Sequence, residues 1–174
     1  MDEKFKQDYF RYKKKKWTVF SGIDIWKSQC LSYMKHGRLS CKKGLFNWYH
    51  HIVHVLKGRK MCNEIPFERI DSGLLLMHPY GITVNPGATI GKDVTLFKGC
   101  TIGSVRSGKS AGVPTIGDRV TICCNAMVCG NIKVGNDVLI AAGAFVNFDV
   151  PDNSIVVGNP GVIHHKENAS KDYL

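Results

Sequence analysis

The chain of 174 residues has no apolar run long enough to cross a bilayer as a helix, and its opening, MDEKFKQDYF, does not read as a secretion signal. It also lacks a cysteine framework. Cys30, Cys41, Cys62, Cys100, Cys123, Cys124 and Cys129 are odd in number and show no CxxC spacing, so they read as reduced thiols and the expected location is the cytoplasm. Carboxylates are scarce at the start: residues 1–62 hold 15 Lys and Arg against 4 Asp and Glu, a net of +11, while the remainder holds 9 against 10, a net of −1. Such a basic arm invites a nucleic-acid reading. With no zinc spacing, helix-turn-helix or aromatic sheet motif beside it, no nucleic acid is expected.

What the chain does have is a period of six. From Ser72 to about Pro151 a branched aliphatic returns at Val84, Ile90, Leu96 and Ile102, then at Ile116, Ile122, Val128, Val134, Ile140 and Val146. A second row, Ala88, Val94, Cys100, Val120, Ala126, Ile132, Val138 and Ala144, follows four positions later. Six matches neither a helix nor simple strand alternation; it fits a solenoid that turns a corner after each short strand, three units to a coil. Gly, Asn and Asp between the rows supply the corners. In this phase His78 falls where an aliphatic is expected, with Pro79 holding it extended.

The remaining pieces divide around that repeat. Residues 1–64 form a basic, mainly helical region, 65–163 the solenoid, and 164–174 a tail; SVRSGKSAGVP, 104–114, is a loop extruded from one corner. Leu45, Trp48, Tyr49, Ile52, Val55 and Leu56 recur at helical spacing, which predicts an amphipathic helix capping the blunt end of the solenoid. Lys13 to Lys16 beside Trp17, Phe20 and Trp26 also suit contact with an anionic membrane surface. His50 and His54 are spaced to share a helical face, a weak metal signal, and no metal is expected.

The segments MHPYGITVNPGATIGKDVTLFKGCTIGS, PTIGDRVTI, CGNIKVGNDVLIAAGAFV and DVPDNSIVVGNPGVI resemble the serine acetyltransferases and their relatives in polysaccharide gene clusters, members of the hexapeptide-repeat acyltransferases. The resemblance runs from about Ile65 to Ile163. It implies a left-handed parallel β-helix, a homotrimer with sites between subunits, and acetyl-CoA as co-substrate. It also implies His78 as the general base in direct transfer to a hydroxyl. Gly103, Ser104, Cys124, Ala142 and Gly143 would line the pantetheine groove, and Gly158, Asn159, Pro160 and Lys166 would lie near the nucleotide; Asn85, Arg106 and Lys109 would face the acceptor. Other zinc-dependent β-helix trimers need several repeat histidines, and this repeat offers His78 alone. Two departures bear on the acceptor: Met77 stands where serine acetyltransferases carry Asp, and Val113 where they carry a second His before Pro114. A zwitterion needs charged partners, so a sugar hydroxyl of a capsule or O-antigen type glycan is the expected acceptor. Serine is the alternative, and a non-catalytic trimeric scaffold the third reading.

Overall fold

The computed structural model describes residues 2–18 and 20–171; the last three residues of the anticipated tail, and Val19 in the basic arm, lie outside the described residues. Among the described residues thirteen short strands follow four helices. Twelve of the strands wind in one sense around three parallel sheets. One sheet stacks β1 (Leu75–Met77), β4 (Thr95–Phe97), β7 (Thr121–Ile122), β10 (Val138–Ile140) and β12 (Ser154–Val157), and ends with β13 (Val162–His165) antiparallel to β12. The second stacks β2 (Thr83–Val84), β5 (Thr101–Gly103), β8 (Met127–Cys129) and β11 (Phe145–Val146), and the third β3 (Thr89–Ile90), β6 (Thr115–Ile116) and β9 (Lys133–Val134). This is the left-handed parallel β-helix that the period of six and the resemblance led us to expect.

Every residue of both aliphatic rows is inside, none more than 5% exposed. The reason is register. Thr121 pairs with Leu139 and Thr115 with Lys133, offsets of 18, so three sixes make one coil and each leading residue stacks on the next. At one corner the backbones come so close that a Cβ on Gly91 would sit 2.7 Å from the Gly117 carbonyl, and one on Gly117 2.7 Å from that of Gly135; only glycine fits this stack. Beside it, side-chain carbonyl oxygens cap the next coil's amides: Asp118 accepts from Lys92 N–H, Asn136 from Asp118 N–H, and Asp152 from Asn136 N–H. Where 104–114 is extruded the offset grows to 26 (Thr101 to Met127), eight residues more than a coil, and the phase resumes unchanged.

The open end is closed by α1 (Glu3–Lys13) and α3 (Gln29–Ser40), with α2 (Ser21–Lys27) between them in the chain. Phe5, Tyr9, Leu31, Tyr33 and Met34 join the solenoid's first coil in one continuous core. A buried ion pair fastens them: Arg38 donates to both carboxylate oxygens of Asp8 and to the carbonyls of Ile70 and Asp71, while Asp8 accepts from Leu74 N–H at 2.8 Å. Arg11 reaches the carbonyls of Gly73 and Val94 in the same way. Here the helical expectation needs correcting. The cap is made by α1 and α3, not by the periodic face of α4 (Asn47–Met61): Leu45, Trp48, Tyr49, Ile52 and Leu56 are exposed, Val55 is half-buried, and only Gly58 and Met61 of α4 are buried. The physical reason is that α4 packs on α3 and the junction through another face, that of His50, His54, Gly58 and Met61, which leaves the periodic apolar residues outward. Trp17 is the exception in the basic arm, packed edge-on against Phe5 and Tyr9, whereas Phe20 and Trp26 are open to solvent.

Candidate functional site

The first coil is two residues longer than the regular coil of eighteen, since Leu75 pairs with Thr95 at an offset of 20. The surplus falls between β1 and β2, in His78-Pro79-Tyr80-Gly81, and it changes the place of the one repeat histidine. Leu76, not His78, stacks above Leu96 in the interior. His78 stands at the outward corner, exposed, with a left-handed backbone (φ 51°) instead of the extended one that Pro79 suggests. Tyr80 N–H donates to the His78 carbonyl at 2.7 Å, a tight turn about Pro79. A left-handed non-glycine residue costs on the order of 1 kcal/mol, so something must hold it there.

That something is the end of α4. Asn63, nearly fully buried, donates through Nδ2 to the Pro79 carbonyl at 2.8 Å and accepts at Oδ1 from Ile82 N–H at 2.9 Å, while Gly81 N–H reaches the Met61 carbonyl. Asn63 was not among the residues the sequence pointed to. Its only signal was its place, directly before the Glu64-Ile65-Pro66 junction where helix becomes solenoid.

Below His78 the same corner repeats coil after coil. Lys98 N–H donates to the Met77 carbonyl, Asn125 N–H to Lys98, and Gly143 N–H to Cys124. His78, Lys98, Cys124 and Ala142-Gly143 therefore form one vertical column, which gathers the expected base and three of the expected cofactor residues. The turn at Gly158-Asn159-Pro160 joins its foot: the Gly158 carbonyl accepts from Phe145 N–H, the strand that follows Gly143, and the Asn159-Pro160 bond is cis. Lys98 is the second residue sequence reasoning missed. The two-residue shift hid it, because counting in sixes from His78 lands on Leu96.

Other expected site residues lie elsewhere. Asn85, Gly103, Ser104, Arg106 and Lys109 occupy the next corner, beyond the two- or three-residue strands of the second sheet, so about 10 Å separates the two corners within one chain. There Val105 and Gly112 exchange backbone hydrogen bonds that close the neck of the loop, leaving Arg106 and Lys109 exposed. Asn85 accepts from Gly87 N–H, a local turn. Lys166 is carried away from Asn159 by β13, and its N–H bonds Asn153 at the far end of the sheet. His50 meets His36, Nδ1 to Nδ1 at 2.9 Å, and His54 stacks on Tyr33, so the anticipated pair of imidazoles is divided between two partners. Among the described residues no three His, Cys, Asp or Glu side chains gather as a metal set.

A column with one imidazole at its head and backbone amides at its corners can support proton transfer to a histidine, and the buried thiols beside it, Cys100 and Cys123, do not offer an acyl-cysteine route. Burial pushes Cys123 up to about 11 and Cys100 up to about 12, so neither is a thiolate near neutral pH.

Residues 114–147 match the family described as bacterial transferase hexapeptide (six repeats). The chain is 40% identical to serine acetyltransferase 4 of Arabidopsis thaliana over 149 residues, 75% of this chain and 41% of that protein. It is 33% identical to the serine acetyltransferase of Bacillus subtilis over 143 residues, 72% of this chain and 66% of that one. Soybean serine acetyltransferase complexed with serine superimposes with a TM-score of 0.72 at 25% identity, over 92% of this chain and 67% of that structure. The chain thus spans between two-fifths and two-thirds of the length of these curated relatives. These findings overturn the expected glycan acceptor: these relatives and this solved structure are serine acetyltransferases, and the loss of Asp at Met77 and His at Val113 does not outweigh them. From the repeat itself, the corner column and these likenesses, the chain belongs to the hexapeptide-repeat acyltransferases and is serine acetyltransferase-like.

Proposed function

We propose that this protein moves an acetyl group from acetyl-CoA to the hydroxyl of serine. The observation that carries the reading is the column headed by His78, on a turn fixed by a buried asparagine above the corners of Lys98, Cys124 and Ala142-Gly143. In this reading the serine Oγ attacks the thioester carbonyl carbon as its proton passes to a His78 ring nitrogen. The tetrahedral oxyanion that forms is stabilised by corner N–H groups. Its collapse breaks the C–S bond, and the departing sulfur takes the proton back from His78, leaving O-acetylserine and CoA.

Serine brings a carboxylate and an ammonium, and Met77 and Val113 offer neither a charge. Lys98, exposed and next below His78, is the cation on the same corner that could hold the carboxylate; Arg106 and Lys109 are those on the neighbouring corner. Because the loop corner and the histidine corner lie apart in one chain, a site that uses both forms between copies, which supports a homotrimer.

Thiol release from acetyl-CoA, followed with wild type, His78→Ala and Lys98→Ala and with serine as acceptor, tests this. We expect His78→Ala to lose ~10²–10⁴-fold in kcat, and Lys98→Ala to raise KM for serine with a smaller change in kcat. Serine turnover that survives in His78→Ala removes the base from the mechanism. Acetyl-CoA binding with no serine turnover overturns the proposed acceptor, and absence of CoA binding overturns the enzyme reading and favours a scaffold.

A further inference from the structure

Helix α4 and its lead-in present an exposed apolar stripe that the fold leaves uncovered. Leu45 is 86% exposed, Trp48 65%, Leu56 58%, and Tyr49 and Ile52 nearly half, at the i, i+3/i+4, i+7 spacing that places them on one face. Phe46 adds another aromatic at 67%. The stripe's own segment carries charge of one sign, although Glu64 and Glu68 beyond it line the same cavity as Val55 and Arg59. Lys42, Lys43, Arg59 and Lys60 are exposed on either side of it, Lys57 is half-exposed, and the whole stretch between Asp24 and Glu64 contains no carboxylate. Among the described residues Lys42 alone of these cations forms an ion pair, with Asp2 at 2.9 Å.

We propose that this face of α4 docks on an anionic membrane surface, lying in the headgroup plane with Trp48, Tyr49 and Phe46 at the interface and the lysines and Arg59 against lipid phosphates. The combination of wide apolar stripe, interfacial aromatics and cations in a segment that itself holds no acid is the chemistry that such a surface recognises. Charge argues for lipid over a second copy. Two such stripes meeting face to face would bring five cations from each side together, with no carboxylate in either stripe's own segment and Lys42 alone paired with Asp2, and the whole of residues 1–62 carries +11 on each copy. The rest of the chain, at −1, offers little attraction of its own. Docked this way, α4 would hold the His78 corner close to the membrane, because its C-terminal end grips that corner through Asn63 and Met61.

Co-sedimentation of the full chain with vesicles tests the proposal. One set holds phosphatidylglycerol in phosphatidylcholine and the other phosphatidylcholine alone, each at low and high salt. Binding is expected to the anionic vesicles only and to weaken with salt. The triple change Lys43→Gln, Arg59→Gln, Lys60→Gln should weaken it on the order of 100-fold, from about 1 kcal/mol per neutralised charge at the surface. The pair Trp48→Ala, Ile52→Ser should weaken it on the order of tenfold. All five side chains are exposed, so unchanged circular dichroism and thermal midpoint are expected and serve as the folding control. No binding to anionic vesicles overturns the proposal, as does binding that the variants leave intact. If Trp48→Ala, Ile52→Ser instead lowers the oligomeric mass by light scattering without changing vesicle binding, the stripe is an interface between copies and the lipid reading fails.

Discussion

Two apolar patterns in this chain met opposite fates. The ten leading aliphatics of the solenoid, Val84 to Val146, are at most 3% exposed, whereas five of the six periodic apolar residues at α4, Leu45 to Leu56, lie in the open. Both patterns are regular; what differs is whether the period names a partner. In a solenoid the residue one coil above is a copy of the same position, so phase alone dictates contact. A helical stripe states a face and leaves the partner unspecified. Stability and the candidate chemistry are therefore coupled differently in the two regions.

The largest effect is expected at the seam between them. Asp8 and Arg38 are almost fully buried and bind each other and the first coil's backbone, so Arg38→Ala strands a carboxylate in the core. A loss of about 3–5 kcal/mol is expected from chemical denaturation. Replacing both, Asp8→Leu with Arg38→Met, should cost much less. A double variant as unstable as the single one would show that the pair's backbone bonds, not its charge, fasten helices to solenoid.

Next comes the solenoid interior. Ile102 is fully buried between Val84 and Val128, and truncation to Ala should cost about 2–5 kcal/mol by the same measurement. A markedly smaller loss would mean that neighbouring coils collapse into the gap, which close stacking at Gly91, Gly117 and Gly135 opposes.

These two positions also mark how far the sequence could be read. Ile102 was legible because a strict six-residue phase leaves one environment for it; the three sheets, the interior rows and the loop at 104–114 follow from that phase. The capping pair was not, since Asp8 and Arg38 lie 30 residues apart in a region without repeat. The site was half legible. His78 was found by chemistry, yet its surroundings were misread, because two extra residues in one coil moved it from the interior column to an outward corner and set Lys98 beneath it. Asn63 could not be found from type alone: its function lies in two backbone bonds across the junction. The acceptor was misread for a different reason. Met77 and Val113 record what is missing, and a groove of backbone and small residues records little of what is bound.

Acid should separate the two regions by a smaller margin. Burial and then the charge of His50 push His36 down to about 4, and burial pushes His50 and His54 down as well. Below the ordinary histidine value of about 6.5 the unfolded chain takes up protons that the folded helices refuse, so their stability falls as pH drops through the window from 6.5 towards 4. At the other end of the molecule burial raises Asp137, but the Ser170 hydroxyl and the N–H groups of Ser170 and Ala169 outweigh it and hold the carboxyl below its usual value. That tail contact is at full strength above the ordinary aspartate value of 3.8 and is lost only as pH falls below it. Hydrogen exchange, corrected for intrinsic rates, should therefore show α3 and α4 opening more readily at pH 5 than at pH 7 while the solenoid and its tail contact stay protected. Equal changes in both regions would remove the histidines as the cause.

The smallest effect is the sharpest test of the contrast. Ile52 and Ile102 are the same side chain, 47% exposed in one place and fully buried in the other. Ile52→Ser should leave the unfolding free energy within about 0.5 kcal/mol of wild type, because the free protein packs little against that face. Ile102→Ser should cost more than Ile102→Ala, since it adds an unpaired hydroxyl to a cavity. The measurement is chemical denaturation of both variants at low protein concentration and without lipid. A loss above about 1 kcal/mol at Ile52 would mean that the stripe is already covered in the protein by itself, and only another copy of the chain is then present to cover it. The difference between helix and solenoid would lie not in whether their apolar rows are buried but in which molecule buries them.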